Sequence, residues 1–112
     1  MILSSREDAA LIVAMTGKWM GTPEEANQIE AIRSEIIAGT MKIVILDLKK
    51  MEWANSYGIG VMAGMLSTAQ QSQVKLALAN VSADIKKVLD ISFLSKILPI
   101  YPTIDKAIKA LA

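Results

Sequence analysis

The chain has no cysteine and no histidine. The first absence excludes a disulfide frame, thiol catalysis and thiolate metal sites. The second removes the commonest general base and the commonest metal ligand, which leaves little room for most hydrolase and metalloenzyme designs. No metal or cofactor is therefore expected. Aromatic residues make up 4% of the chain against 53% hydrophobic, so the core must be aliphatic, built from Ile, Leu, Val, Ala and seven Met. Neither sign of charge dominates: 12 Lys and Arg face 11 Asp and Glu, for a net charge of +1. That balance gives no electrostatic footprint for nucleic acid, and no basic run suggests an anionic membrane surface. The N-terminus lacks the order of a secretory signal, because Ser4-Ser5-Arg6-Glu7-Asp8 interrupts any apolar stretch. Residues 53–74 carry no charge, but Asn55, Ser56, Ser67, Thr68, Gln70 and Gln71 make them a poor membrane span. A soluble, cytoplasmic protein is expected, with 112 residues forming one domain.

What is present is an alternation of apolar runs and capped helical patterns. Ile2 to Ser5 reads as a short first strand, turned by Glu7-Asp8 into Ala9–Met15, a run without alternation that suits a strand buried on both faces. Thr22-Pro23-Glu24-Glu25 announces a helix: Thr22 as N-cap, Pro23 at the first position, Glu25 closing a capping box. Ile29, Ile32 and Ile36 then recur on one face, and Gly39 fits just past the end. Lys42–Leu48 is the clearest strand. A helix from Ser56 to about Gln71 follows, then a strand Val74–Ala79, and a third helix capped by Ser82 with Ile85, Val88 and Leu89 on one face. Ile97–Ile100 is expected as a last strand, at a sheet edge because Pro99 removes a ladder donor. Thr103 caps a final helix with Ile104, Ala107, Ile108 and Leu111 turned inward. The order β-β-α-β-α-β-α-β-α predicts an α/β fold with a mixed, mostly parallel sheet.

Chemical interest concentrates at residues 47–60. A strand runs out at Asp47, a short polar connection follows, and Asn55-Ser56 stands before a glycine-bearing helix. That places the Ser56 hydroxyl where unpaired N–H groups of a helix start can hold an anion. The plain reading is that Ser56 is an N-cap and nothing more. Glycines at 58, 60 and 64 each cost on the order of 1 kcal/mol in a helix relative to alanine. They serve either close packing or a flat surface left open for a partner. Ile59, Met62, Ala63 and Leu66 suffice to face the core, so Val61 and Met65 are expected to point to solvent or to a partner. Gly58-Ile59-Gly60 lacks the rest of a phosphate-cradling fingerprint. Trp19 and Trp53 read as core or rim, and Lys49-Lys50 and Lys86-Lys87 as solvated faces. Asp47 has no evident partner base.

Ile45-Leu46-Asp47-Leu48 followed by Asn55-Ser56-Tyr57-Gly58-Ile59-Gly60 resembles the STAS domains, shared by anti-sigma factor antagonists and sulfate transporter tails. Their pattern is Asp-Leu ending a strand, then Asp-Ser-x-Gly-hydrophobic-Gly. Val88-Leu89-Asp90-Ile91, Leu94 through Tyr101 and Thr103-Ile104-Asp105-Lys106-Ala107 look like the family's third helix, closing strand and final helix start. The resemblance implies a single STAS-like domain over residues 1–112. It implies that Ser56 is the serine phosphorylated by a partner serine kinase that is itself the anti-sigma factor, with a protein phosphatase restoring the unmodified form. The chemistry then belongs to those partners, and the chain is expected not to be an enzyme. Asn55, Tyr57, Gly58, Gly60, Val61, Gly64 and Met65 would then form the partner-binding surface. Two departures stand out: Asn55 replaces the usual Asp, keeping its hydrogen-bonding shape without the charge, and Tyr57 replaces a residue that is commonly small.

Two other readings remain open. One is a STAS subunit that is not phosphorylated, serving a signalling scaffold or a lipid-transport ABC system. The other is a flavodoxin-like ligand-binding protein using the strand ends near Asp47 and Asn80. The surface left open for a partner also allows a homo- or hetero-oligomer.

Overall fold

Apolar runs without alternation become strands covered on both sides. The computed structural model describes residues 2–7, 10–39 and 41–112. Strand β1 (Ile2–Glu7) runs antiparallel to β2 (Ala10–Met15), pairing Ile2 with Met15 and Glu7 with Ala10. Next comes β3 (Gly17–Trp19), then α1 (Pro23–Ala38), β4 (Ile43–Asp47), β5 (Met51–Ala54), α2 (Ser56–Gln71) and β6 (Lys75–Ala79). Helix α3 (Ala83–Ile91), a 3-10 turn at Leu94–Lys96, β7 (Ile100–Tyr101) and α4 (Ile104–Leu111) complete the order. The main sheet is arranged β1-β2-β4-β6-β7, parallel except for the β1–β2 pair. This is a single small α/β domain with a mixed, mostly parallel sheet, as the alternation of elements predicts.

Successive residues of the central strands enter two cores. Leu11, Val13, Met15, Val44, Leu46, Leu76 and Leu78 pack beneath α1, α2 and α3 with Ile29, Ile32, Ile36, Met62, Ile85 and Leu89. Ala10, Ile12, Ile43, Ile45, Ala77 and Ala79 face the other way, against Ala107 and Ile108 of α4. Three alanines on that face of the sheet, met by Ala107 of the helix, explain how one short helix covers it.

The caps form as expected. Thr22 Oγ1 accepts the Glu25 N–H at 3.2 Å, and Glu25 Oε1 accepts the Thr22 N–H at 2.9 Å. Gly39 ends α1 at φ 70°, a left-handed position that suits glycine. Ser82 and Thr103 cap α3 and α4.

Three expectations are corrected. The polar connection after Asp47 contains β5, which pairs in parallel with β3 as a separate two-stranded sheet. These strands are three and four residues long, too short to display a period. The closing strand is Ile100–Tyr101 rather than Ile97–Ile100, because the 3-10 turn occupies Leu94–Lys96 and leaves Ile97 58% exposed. The first strand continues to Glu7, carried by its register with β2. Asp8 and Ala9, assigned to the first turn and to the start of the second strand, lie outside the described residues.

Candidate functional site

The start of α2 is set by Asn55, not by Ser56. Asn55 Oδ1 accepts the N–H groups of Tyr57 at 2.9 Å and Gly58 at 3.2 Å, which makes Asn55 the N-cap. Its Nδ2 donates to the Met20 carbonyl at 3.3 Å, and its own N–H donates to the Trp19 carbonyl at 3.2 Å. Two adjacent residues of equal capping ability stood in the sequence. The carbonyls at the end of β3 select the first. Ser56 is therefore the first helical residue, exposed, and its hydroxyl makes no hydrogen bond among the described residues. The capping role expected for Ser56 is thus corrected. So is the notion of open amides beside it, since Asn55 already engages those of Tyr57 and Gly58.

Below this start lies a tight hub. Trp19 is fully buried, and a Cβ added to Gly58 would sit 3.0 Å from both the Trp19 and Ala54 Cβ atoms. Gly58 is accordingly buried and serves close packing; its expected place on the partner surface is corrected. Gly21, at φ +93°, lies under the Tyr57 ring, whose Cγ would be 3.3 Å from an added Cβ. Glu25 Oε1 gathers the N–H groups of Met20 at 3.2 Å and Gly21 at 2.7 Å as well as that of Thr22. Burial pushes the Glu25 carboxyl up, but the N–H groups of Thr22, Gly21 and Met20 and the Thr22 hydroxyl outweigh it, holding the group below its ordinary value.

Gly60 and Gly64 behave differently: nothing lies within 4 Å of a Cβ built on either. Close packing is not their purpose. They leave bare the outward side of α2, which carries Ser56, Gly60 and Ser67, with Ala63 and Gly64 half-buried at its edges. Two grooves flank this ridge, and Ser56 and Gly60 belong to both. The first, about 390 Å³, lies toward α1 and is lined by Ala26, Ile29, Glu30, Arg33, Tyr57, Val61 and Gly64. The second, about 490 Å³, lies toward α3 and is lined by Ala54, Asn55, Ile59, Ala63, Val88, Ser92 and Leu94.

Of the residues expected on the partner surface, Asn55, Tyr57, Gly60, Val61 and Gly64 line these grooves with Ser56. Met65 does not: it is fully buried. At 100° per residue it falls beside Met62 and Ala69, both at 0% exposure, within an arc wider than the four residues assigned to the core. Ala63, assigned to that core, instead borders the second groove.

Arg33 was not singled out from sequence. Its Nε donates to Thr68 Oγ1 at 3.2 Å, its Nη1 meets Glu30 Oε1 at 3.3 Å, and the Thr68 hydroxyl donates to the Gly64 carbonyl at 3.0 Å. The guanidinium is thus set along the wall of the first groove. Only a packed α1–α2 pair brings position 33 to position 68.

The strand ends offer less. Asp47 Oδ1 accepts from Asn80 Nδ2 at 2.9 Å and from the Lys49 N–H at 3.1 Å, tying two loops together. The cavity there, lined by Ala14, Thr16, Asp47, Lys49 and Lys50, holds about 130 Å³. That is well below the roughly 300–1,000 Å³ of ordinary small-molecule sites. Among the described residues no group of three His, Cys, Asp or Glu is placed to hold a metal ion, and no helix is long and apolar enough to cross a membrane.

Comparison with known proteins agrees with the fold. The family model of the STAS domain matches residues 6–107. An anti-sigma F factor antagonist from Paenibacillus polymyxa is 34% identical over 68 residues, 61% of this chain and 56% of that relative's length. The match thus spans little more than half of that protein. Among solved structures, an anti-sigma factor antagonist from Mycobacterium paratuberculosis superposes with a TM-score of 0.82 at 20% identity, covering 99% of this chain and 92% of the other. The Bacillus cell fate determinant SpoIIAA in its phosphorylated form superposes with a TM-score of 0.71 at 18% identity, covering 100% of both chains. These two are likenesses of fold.

Proposed function

The chain belongs to the STAS domain family, and from that premise we propose that it is a regulatory binding module of the anti-sigma factor antagonist type. The unmodified α2 ridge docks on a partner serine kinase that acts as the anti-sigma factor. That kinase phosphorylates Ser56, and a phosphatase reverses the change. The chemistry belongs to the partners, so this chain has no catalytic role of its own.

One observation carries the reading. Because Asn55 caps α2, the neighbouring hydroxyl has no structural task and stands exposed on the ridge between two grooves. A relative of the same fold exists in a phosphorylated form. A phosphate adds about −1.5 to −2 charges at neutral pH. At the first turn of α2, which contains no acidic residue, the helix dipole favours it, so the fold tolerates the change. In a closed interface the same charge must be stripped of water without a partner, which costs on the order of 3 kcal/mol, about a hundredfold in affinity.

Ser56→Ala and Ser56→Asp variants test this by recovery of the kinase from native lysate, with the intact mass of the recovered chain. Both variants remain folded; Ser56→Ala retains the kinase and Ser56→Asp loses it. Equal recovery, with no phosphorylated mass in the wild type, overturns the proposal.

A further inference from the structure

Helix α3 ends in an unusual way. Its closing N–H bonds run from Ser92 to the Val88 carbonyl at 3.0 Å and from Phe93 to the Asp90 carbonyl at 3.1 Å. This throws Phe93 into the left-handed region, at φ 62° and ψ 9°. That place after a helix is ordinarily filled by glycine, because a Cβ there crowds the backbone. A bulky aromatic in it is an outlier. The strain is not repaid by burial. Phe93, the chain's single phenylalanine, is 68% exposed and belongs to neither core. Its ring lies beside the Lys96 ammonium, 5.4 Å from the centroid. Local strain that folding does not use is a mark of a functional position.

The surroundings indicate the use. Ile91 and Ile97, at 78% and 58% exposure, join Phe93 to bring three of the six large hydrophobics exposed among the described residues into seven residues of chain. Ser92 and Leu94, on either side of Phe93, line the groove that also contains Ser56 and Gly60. Phe93 is not itself among the lining residues; standing in the chain between two that are, it sits at the α3 border of that groove. Charges of both signs stand nearby, with Lys86 paired to Asp90 at 3.3 Å. A mixed field of this kind gives no attraction to an anionic lipid surface and suits a protein.

We infer that Phe93 is a contact residue for the same protein partner that docks over Ser56, taking an apolar segment of that partner at the far end of the α2–α3 groove. The inference rests on the docking proposed above. An exposed, rigid aromatic at the edge of a groove is the side chain that most often dominates such contacts.

The test places a photo-crosslinking aromatic, p-benzoylphenylalanine, at position 93 in one full-length chain and at position 61 in another, in the native host. Val61 lies in the first groove, on the other side of the ridge, and reports docking by itself. The expected result is the same partner mass from both positions, abolished at both by Ser56→Asp. Capture at 61 with none at 93 overturns the inference alone. So does capture at 93 of a second copy of this chain, or of a protein indifferent to Ser56→Asp. Capture of the partner at neither position overturns the docking proposal itself, and the inference with it. Phe93→Gly supplies the second arm. It melts at the same temperature or higher, since glycine suits the backbone, while partner affinity falls roughly tenfold or more. A clearly lower melting temperature makes Phe93 a packing residue and overturns the inference.

Discussion

Asn55 Nδ2 donates to the Met20 carbonyl at 3.3 Å, joining the start of α2 to the end of β3 while the same side chain's oxygen caps the helix. An aspartate in this place would keep the cap and lose the bond to Met20, because an ionised carboxylate only accepts. The departure from the usual family residue is therefore built into the loop that precedes α1. Asn55→Ala is expected to destabilise the fold by about 1–2 kcal/mol in urea unfolding, the ordinary range for a lost N-cap. Asn55→Asp should fall between Ala and wild type. An unchanged midpoint for Asn55→Ala would show that the cap carries no weight.

The glycines of α2 separate into two kinds. Gly58→Ala forces a Cβ to within 3.0 Å of the Trp19 and Ala54 Cβ atoms, and these are anchored to backbone and yield little. A loss of about 1–3 kcal/mol is expected. Gly60→Ala meets nothing within 4 Å, so helix propensity decides and the fold gains roughly 0.5–1 kcal/mol. The added methyl narrows both grooves, and partner affinity should fall as stability rises. Thermal melts of the two variants, set beside partner binding, check the division; equal effects on stability would contradict it.

Acid should weaken the hub beneath Ser56 through Glu25. Its folded-state value lies below the ordinary 4.5. A depressed carboxyl contributes stability that is fully present above the unfolded value and is lost as pH falls through the folded one. The melting temperature should therefore decline below about pH 4.5. Asp90 is also held below its ordinary value, first by a hydrogen bond from Ser95, so acid acts on it as well. The informative quantity is thus the difference between wild type and Glu25→Gln, which should shrink on acidification. A difference that is constant from pH 7 to pH 3 would remove Glu25 from the account.

Legibility from sequence followed the range of the interactions. Thr22, Pro23 and Glu25 announced α1 because a capping box is local, and the unalternating runs around Ile12 and Ile45 announced strands covered on both faces. The short β3–β5 pair was hidden because three- and four-residue strands carry no period. At Asn55-Ser56 two good caps stood together, and the choice between them depended on the Trp19 and Met20 carbonyls, 35 positions earlier in the case of Met20. Met65 was misplaced because the buried arc of α2 is wider than a minimal face. Ser56 could be singled out by its pattern. The two grooves beside it could not, since α1 and α3 must first be packed, and Phe93 became notable only through its backbone angle.

The central claim is that a phosphate on Ser56 abolishes docking without disturbing the fold. Calorimetric titration of the partner kinase against the unmodified chain and against the chain phosphorylated at Ser56 measures it directly. The account predicts an affinity at least about a hundredfold lower for the phosphorylated form, with both forms melting within a few degrees of each other. Equal affinities would contradict it.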